Sequence, residues 1–224
     1  PVQVTTGLAT PSTPAHDSDL DNDGFTYAEE VGYGSNPDSN ASTPGLDYGL
    51  VAYYPFDGNA SDMSGNGNHG TVNGATLGTD RFGRQVKAYS FDGVNDYVDS
   101  SNQKASPNAG TMTAWIKPNE ISGEQVVVGL DDVHGYSMFT ASSFGGKMMF
   151  RAGKVPQIKQ CSKDFNYGMG VWIQVAMTWN GAETPFQGFV NGIQVATNSS
   201  QGTDNFGQAG KLSIGRSANY HFNG

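Results

Sequence analysis

The feature that most constrains the fold is a series of short segments in which apolar and polar residues alternate, separated by turn sequences. The clearest hairpin signal is Asn191-Gly192, because both positions of a type I′ turn need positive φ. Short strands at regular spacing predict a two-sheet antiparallel sandwich, and so an all-β fold. The predicted strands are 49–56, 86–91, 96–100, 111–117, 125–130, 136–140, 147–151, 172–179, 186–190, 193–196 and 212–215.

Composition supports a turn-rich β protein and argues against a nucleic-acid binder. Charged residues make up 15% of the 224 residues, and there are 31 glycines. The net charge is −9, and residues 1–46 carry five Asp and two Glu without any Lys or Arg. An acidic segment before a nearly neutral body lacks the basic face that nucleic acids require.

The sequence also bears on the cellular compartment and on whether the chain is part of a longer protein. With one cysteine, Cys161, no internal disulfide can form. No apolar run has the length of a transmembrane helix, and no signal peptide is present. Residues 1–16 are rich in Thr, Pro and Ala and predict an extended linker. We expect a mature or excised part of a longer, secreted or surface-exposed chain with further domains.

An acidic loop follows the linker and matches the calcium-loop pattern D-x-[DN]-x-[DN]-G-x5-E. Alternate side chains converge on one ion, Gly24 permits the turn, and the last Glu completes the shell. After it, residues 27–30 can begin a helix of barely two turns before glycines and Pro37 end it. The predicted calcium ligands are Asp19, Asp21, Asp23, the carbonyl of Phe25, and Glu30.

A second loop, residues 57–70, is crowded with Asp, Asn, Ser and Gly. Such oxygens are costly to bury without partners, but they suit a hard cation. Composition therefore predicts a second calcium site after the first predicted strand.

Several segments resemble known families. Residues 17–38, with their acidic loop, paired glutamates and closing Gly-x-Asn-Pro, resemble a bacterial thrombospondin type 3 repeat, a calcium-bound spacer that we place at 17–46. "GLVAYYPFDGNASDMSGNGNHGTVNGA", "AYSFDGVNDYVDS", "TMTAWIKP", "VWIQVAMTWNG", "FVNGIQVA" and "KLSIGRS" resemble the bacterial laminin G-like, concanavalin A-like domain over 47–224.

The second resemblance implies a jelly-roll sandwich with one structural calcium ion. The ligands that it implies are Asp57, Asn59, Asp62, Asn66 and Asn68, with backbone carbonyls around Gly65 and His69. Family members continue with a closing strand beside the first one. The sequence stops at Gly224 before such a strand, so we expect a truncated C-terminus or an absent strand.

Catalytic signatures are weak, so we expect no catalysis from this chain. The sandwich has three Glu, Glu120, Glu124 and Glu183, and none forms the paired carboxylates of a glycosidase. The histidines lack a triad signature. A polysaccharide lyase built from His134, Tyr136 and Arg151 remains an alternative.

The resemblance implies carbohydrate binding through exposed aromatic rings. The three tryptophans lie in apolar strands, so we expect them in the core. Loop residues are the better ligand-binding candidates: Tyr136, Phe144, Tyr167, Phe206, Tyr220 and His221. The sequence thus favours a calcium-stabilised, non-catalytic module that binds a polysaccharide or glycan within a larger secreted protein. A structural or adhesive module that contacts protein partners is the alternative.

Overall fold

The computed structural model describes residues 18, 20, 26–33, 36–39, 49–101, 109–120, 123–130, 137–141, 147–152, 159–163, 168–180, 184–197, 211–217 and 220–224. Two compact units divide the chain, Pro1–Leu50 and Val51–Gly224. In the described part of the first unit, a helix, α1, spans Tyr27–Tyr33, which confirms the predicted two-turn helix. No helix in the described ranges combines the length and apolar character that crossing a membrane requires.

The second unit consists of strands. Their bounds are β1 Gly70–Asn73, β2 Thr76–Gly78, β3 Ala88–Ser90, β4 Tyr97–Ser100, β5 Ala109–Ile116, β6 Glu124–Leu130, β7 Ser137–Ala141, β8 Lys147–Ala152, β9 Lys159–Lys163, β10 Ile173–Asn180, β11 Thr184–Val190, β12 Ile193–Thr197, β13 Leu212–Ile214, β14 Arg216–Ser217 and β15 Tyr220–His221. A seven-stranded sheet has the order β1-β4-β13-β6-β7-β8-β9, and a four-stranded sheet has the order β12-β11-β10-β5. Two ribbons, β2-β3 and β14-β15, complete the unit. The pairings of these strands are antiparallel.

The core is built from one face of each large sheet. In the seven-stranded sheet, paired positions place Val98, Val128, Met138 and Phe150 in a buried row. The four-stranded sheet contributes buried side chains from β10 and β11, among them Val175, Met177 and Val190. Burying such side chains is worth roughly 1.5–3 kcal/mol each, so this layer is the main source of stability.

Most predicted strands occur within a few residues of their expected bounds, and the Asn191-Gly192 hairpin is confirmed. Asn191 and Gly192 have φ of 49° and 76°, the positive values of a type I′ turn. The sequence did not predict β1, β2, β9, β14 or β15. These strands have two to five residues, too few to show a clear alternation.

The predicted first strand, 49–56, is wrong: these residues join no sheet. Its backbone groups pair with the following loop instead: Tyr53 N donates to Asp62 Oδ1, and Tyr53 O accepts from Met63 N. Neighbouring side chains of this segment nevertheless lie on different sides. Tyr53 is 52% exposed, whereas Tyr54 and Phe56 pack against the core.

The expectation that all three tryptophans are buried is correct for Trp179 and wrong for Trp115. Trp179 is 7% exposed, Trp172 is half-buried, and Trp115 is 45% exposed. Trp115 lies between Ala114 and Ile116, whose side chains belong to the core side of β5. Because successive side chains point to opposite faces, the ring of Trp115 lies on the outer face.

A tight contact between the two large sheets yields a prediction about stability. A Cβ at Gly188 in β11 would lie 2.2 Å from Cδ2 of Phe150 in β8, and Phe150 is fully buried. We expect Gly188→Ala to destabilise the domain by about 1–3 kcal/mol through overpacking, measured by denaturant unfolding. Gly78→Ala is the matched control, since its Cβ would meet nothing closer than 3.9 Å. Equal stability of the two variants would contradict the packing argument.

Candidate functional site

The carboxylate of Asp62 organises the oxygen-rich loop. Its Oδ1 accepts hydrogen bonds from the backbone N–H groups of Tyr53 and Ser64, both at 2.9 Å. Its Oδ2 accepts from Ser64 Oγ and from the N–H of Asn68, again at 2.9 Å. One side chain therefore joins Tyr53, in the preceding segment, to two later positions of the loop, Ser64 and Asn68. Asp62 is 5% exposed, so water contributes little to this arrangement.

These hydrogen bonds determine the ionisation of Asp62. Burial raises the pKa of this carboxyl group, but the hydrogen bonds from Tyr53, Ser64 and Asn68 outweigh burial and lower the pKa to about 2. The group is therefore a carboxylate at neutral pH. Burial also raises the pKa of Tyr54 to about 12, with a smaller contribution from the negative charge of Asp62.

The backbone carbonyl of Val51 is the second point of convergence. It accepts hydrogen bonds from Ser64 Oγ at 3.2 Å, Asn66 Nδ2 at 3.2 Å and Asn68 Nδ2 at 3.0 Å. Asn66 Nδ2 also lies 3.1 Å from Ser64 Oγ. Three polar side chains thus surround one carbonyl oxygen, next to the carboxylate that binds Ser64.

This donor set fits a divalent cation. Rotating the last side-chain torsion of an Asn by 180° exchanges the positions of its amide oxygen and nitrogen. With that rotation, Asn66 and Asn68 would add amide oxygens to the carbonyl of Val51, the hydroxyl of Ser64 and the carboxylate of Asp62. Calcium takes six to eight such oxygens, and water can supply the remainder. Among the described residues, no three His, Cys, Asp or Glu side chains group as a metal site, so amides and carbonyls would have to contribute.

The structure brings together three of the five ligands that the resemblance implies, Asp62, Asn66 and Asn68. The other two have local partners. Asp57 is exposed and forms an ion pair with Lys87. Asn59 Oδ1 accepts from the N–H of Ser61 at 2.8 Å, which is a short turn closed by its own side chain.

Sequence reasoning did not name two members of the convergent group, the carbonyl of Val51 and the hydroxyl of Ser64. A backbone carbonyl leaves no signal in residue type. Ser64 could have been found from its position two residues after Asp62, where short polar side chains commonly bond to their neighbours.

The conformation of the loop depends on its glycines and on the chain around it. Gly65 and Gly67 have φ of 87° and 71°, the left-handed region that glycine adopts without strain. Tyr54 Oη donates to the carbonyl of Asn68, and His69 Nδ1 accepts from the N–H of Asp62 at 3.2 Å. His69 therefore has a structural contact inside the loop.

In the first unit, Glu30 is the one predicted calcium ligand that the structure describes. It lies in α1 and is fully buried. A buried carboxylate is expensive unless it is paired or bound to a cation. Asp19, Asp21, Asp23 and Phe25 lie outside the described residues.

Of the predicted ligand-binding residues, the structure describes two. Tyr220 is 43% exposed on β15, and His221 is half-buried beside it, with no partner for its buried Nδ1 among the described residues. Tyr136, Phe144, Tyr167 and Phe206 lie outside the described residues.

The structure describes some of the acidic residues and some of the residues of the alternative lyase site. Glu120 Oε2 accepts from Asn223 Nδ2 at 3.3 Å, and Glu124 lies 3.9 Å from the guanidinium of Arg151. These are contacts of structural side chains. His134, Tyr136 and Glu183 lie outside the described residues, so the assembly of a lyase site around Arg151 stays a prediction.

The geometry and the sequence agree with one protein family. Residues 92–224, more than half of the chain, match the family model described as the concanavalin A-like lectin/glucanases superfamily. The chain belongs to this superfamily. The fold, an antiparallel sandwich, confirms the expected concanavalin A-like architecture. No protein of curated function matches the chain significantly.

Solved structures share this fold at low identity. Domain 4 of AbnA, a GH43 extracellular arabinanase from Geobacillus stearothermophilus in complex with arabinotriose, matches with a TM-score of 0.64 and 17% identity, over 78% of this chain and 87% of that domain. The binding domain of botulinum neurotoxin DC, in complex with rat synaptotagmin II, matches with a TM-score of 0.59 and 11% identity, over 78% of this chain and 43% of that one. Botulinum neurotoxin type C, whose cell entry depends on two ganglioside molecules, matches with a TM-score of 0.59 and 12% identity, over 78% and 42%.

The ionisation of Asp62 predicts how stability depends on pH in chelator. Its folded pKa of about 2 lies below the ordinary value of 3.8, so its contribution is complete above pH 3.8 and is lost as the pH falls through 2. The difference corresponds to roughly 2 kcal/mol. We expect Asp62→Asn to unfold more easily at pH 7 and to lose this part of the acid dependence, as measured by urea titrations from pH 7 to 2.

Asp57→Asn is the matched control for that experiment, because Asp57 is exposed and its ion pair with Lys87 lies at the surface. Surface ion pairs contribute about 0–1 kcal/mol. A control variant as unstable as Asp62→Asn would show that the loop does not depend on Asp62 in particular.

Proposed function

We propose that this chain is a non-catalytic, calcium-stabilised carbohydrate-binding module of a larger secreted protein that processes or presents polysaccharide. The observation that carries the proposal is its similarity to domain 4 of the arabinanase, a structure that contains arabinotriose. The match spans 87% of that domain, so the two share a whole fold and not a fragment. Membership in a superfamily named for lectins and glucanases supports the same class of ligand.

The proposed role of calcium in the sandwich is to hold the oxygen-rich loop together. Asp62, Asn66 and Asn68, with Ser64 and the carbonyl of Val51, would hold the ion. Calcium supplies positive charge that a buried carboxylate and converging oxygens otherwise lack. The chain's own residues already fix the loop through the hydrogen bonds of Asp62, so the ion would add stability to an ordered segment.

The first unit is proposed as a separate calcium-binding spacer resembling a thrombospondin type 3 repeat. Three observations support it: the matching acidic pattern, the short helix that follows, and the buried carboxylate of Glu30. The two compact units of the chain are consistent with separate calcium sites.

A structural or adhesive module that binds a protein is the second candidate. It is favoured by the neurotoxin binding domain, which has the same fold and was solved with rat synaptotagmin II. The two candidates differ in ligand class, so one binding experiment can separate them.

Calcium should raise the melting temperature, because an ion that binds only the native state stabilises it by mass action. At a calcium concentration of 100 times Kd this is about 2.7 kcal/mol, and we expect the sandwich transition to rise by about 5–10 °C over its value in chelator. Asp62→Ala should abolish this rise, and Asp57→Asn should retain it. Differential scanning calorimetry measures both. An unchanged melting temperature in calcium would argue against the sandwich site.

The separate spacer site predicts a local effect. Asp21→Ala should increase amide hydrogen exchange within residues 17–38 in calcium and leave the sandwich transition unchanged. Asp62→Ala should instead lower the sandwich transition. A fall in the sandwich transition caused by Asp21→Ala would show that the repeat contributes to the sandwich core.

Carbohydrate binding can be tested directly on a glycan array that includes arabinan and acidic polysaccharides. We expect the full chain in calcium to bind a restricted set of glycans, and to bind less in chelator as the loop loosens. Binding to no glycan would overturn the proposed function. Specific binding to an immobilised protein in that case would favour the second candidate.

A further inference from the structure

A tight turn at residues 80–84 holds two side chains at the surface. Asp80 Oδ1 accepts from the N–H groups of Phe82 and Arg84 at 2.9 and 2.8 Å, and Asp80 Oδ2 accepts from Arg84 Nε at 2.7 Å. The backbone closes the same turn, with Asp80 N donating to Arg84 O at 3.0 Å and Gly83 N to Asp80 O at 3.1 Å. The turn is thus fixed before any ligand arrives, and it presents Arg81 and Phe82 outward.

Arg81 lies against two exposed aromatic rings. Its guanidinium carbon is 4.3 Å from the ring centre of Phe82 and 4.2 Å from that of Trp115 on β5. Phe82 is 64% exposed and Trp115 is 45% exposed, so both rings retain surface that a ligand can cover. This pairing joins the turn to the edge of the four-stranded sheet, because β5 is the last strand in that sheet.

The surroundings of Arg81 in the described part of the chain are aromatic, not acidic. No carboxylate in the described part of the chain forms an ion pair with it, although Arg84 nearby pairs with Asp80. A guanidinium stacked on aromatic rings keeps its N–H groups in its own plane, where a carboxylate can accept two of them. The stacking also limits the rotamer freedom that Arg81 would lose on binding.

Next to these rings, the outer face of the four-stranded sheet carries neutral hydrogen-bonding groups. The strand register pairs Trp115 with Gln174, Thr111 with Thr178, and Thr178 with Gln187. Gln174 Nε2 donates to Thr113 Oγ1 at 3.3 Å. Exposed or half-buried residues contribute these hydroxyl and amide groups: Thr111, Thr113, Gln174, Thr178 and Gln187. Hydroxyl and amide groups suit the hydroxyls of a sugar, which both donate and accept.

We propose that Arg81, Phe82 and Trp115 form a subsite for a carboxylate-bearing sugar of an acidic polysaccharide, and that the chain of sugars continues over the outer face of β5 and β10. This inference rests on the proposed carbohydrate-binding function and names its site and ligand class. A sugar ring packs its C–H face on an aromatic ring, while Arg81 binds the carboxylate. Charge complementarity selects the acidic class, because Arg81 is a cation that pairs with none of the described carboxylates and lies beside two stacking surfaces.

The test is a calorimetric titration of the full chain, in calcium, with oligogalacturonate and with its methyl ester, a neutral probe with the same rings. We expect the acid to bind more tightly than the ester. Arg81→Gln should weaken binding of the acid about tenfold or more, since a charge-assisted hydrogen bond is lost, and should leave the ester nearly unchanged. Trp115→Ala should weaken both probes.

Two matched variants control for charge and for loss of an aromatic ring. Lys87→Gln removes the same charge from the ion pair with Asp57, and Tyr53→Ala removes an exposed ring while keeping the backbone contacts of that residue. Neither should change the affinity for the acid by more than about twofold. If Trp115→Ala fails to fold, the indole N–H resonance of Trp115 in the unaltered chain reports on the site, and saturating acid should shift it.

The outcomes distinguish a failure of the proposed subsite from a failure of the proposed carbohydrate-binding function. An Arg81→Gln variant that binds the acid as well as the unaltered chain, or an indole resonance that does not move, overturns the subsite. Binding of neutral glycans alone also overturns it and leaves carbohydrate binding standing. Only a chain that binds no glycan of either kind removes the proposed function as well.

Discussion

The two faces of each β-strand are the constraint on which the rest of this structure depends. Successive side chains point in opposite directions, so each strand of the two large sheets divides its residues between the core and the outside. On β5 the core side takes Ala114 and Ile116, and the outer side takes Thr113 and Trp115. The two-residue alternation of side chains therefore produces both the buried layer between the sheets and the polar outer surface of the four-stranded sheet.

The oxygen-rich loop solves a different problem, since its polar atoms have no strand to pair with. One buried carboxylate accepts hydrogen bonds from Tyr53, Ser64 and Asn68, and in doing so it binds an extended segment to a loop. Hydrogen bonds to an ionised group are about twice as strong as neutral ones, which explains how a single Asp can replace a strand pairing. The cost is that residues 51–56 do not form the β-strand that their alternation predicts.

How far the sequence predicts this protein can be seen at particular residues. The Asn191-Gly192 hairpin was predictable because local chemistry determines that turn. The conformation of residues 51–56 was not predictable, because it depends on which group pairs with the backbone of Tyr53. That partner is Asp62, and the alternation pattern gives no sign of it. Trp115 was mispredicted for a similar reason. Alternation assigns residues to two faces of a strand, but it does not show which face packs in the core. In the loop, Asp62, Asn66 and Asn68 were predictable as members of the convergent polar group, whereas a carbonyl such as that of Val51 has no signature in the sequence.

Charge distribution connects the calcium proposals with the binding proposal. Residues 1–46 hold −7 of the net −9, and the remaining residues hold 14 acidic against 12 basic side chains. A nearly neutral sandwich neither attracts nor repels an acidic polysaccharide strongly at long range, so local groups must decide the affinity. Arg81 is such a group because its guanidinium lies against two aromatic rings and forms no ion pair with any described carboxylate. Calcium bound to the acidic segment would lower the net negative charge of the chain. Calcium bound in the sandwich would add stability to a loop that the hydrogen bonds of Asp62 already order.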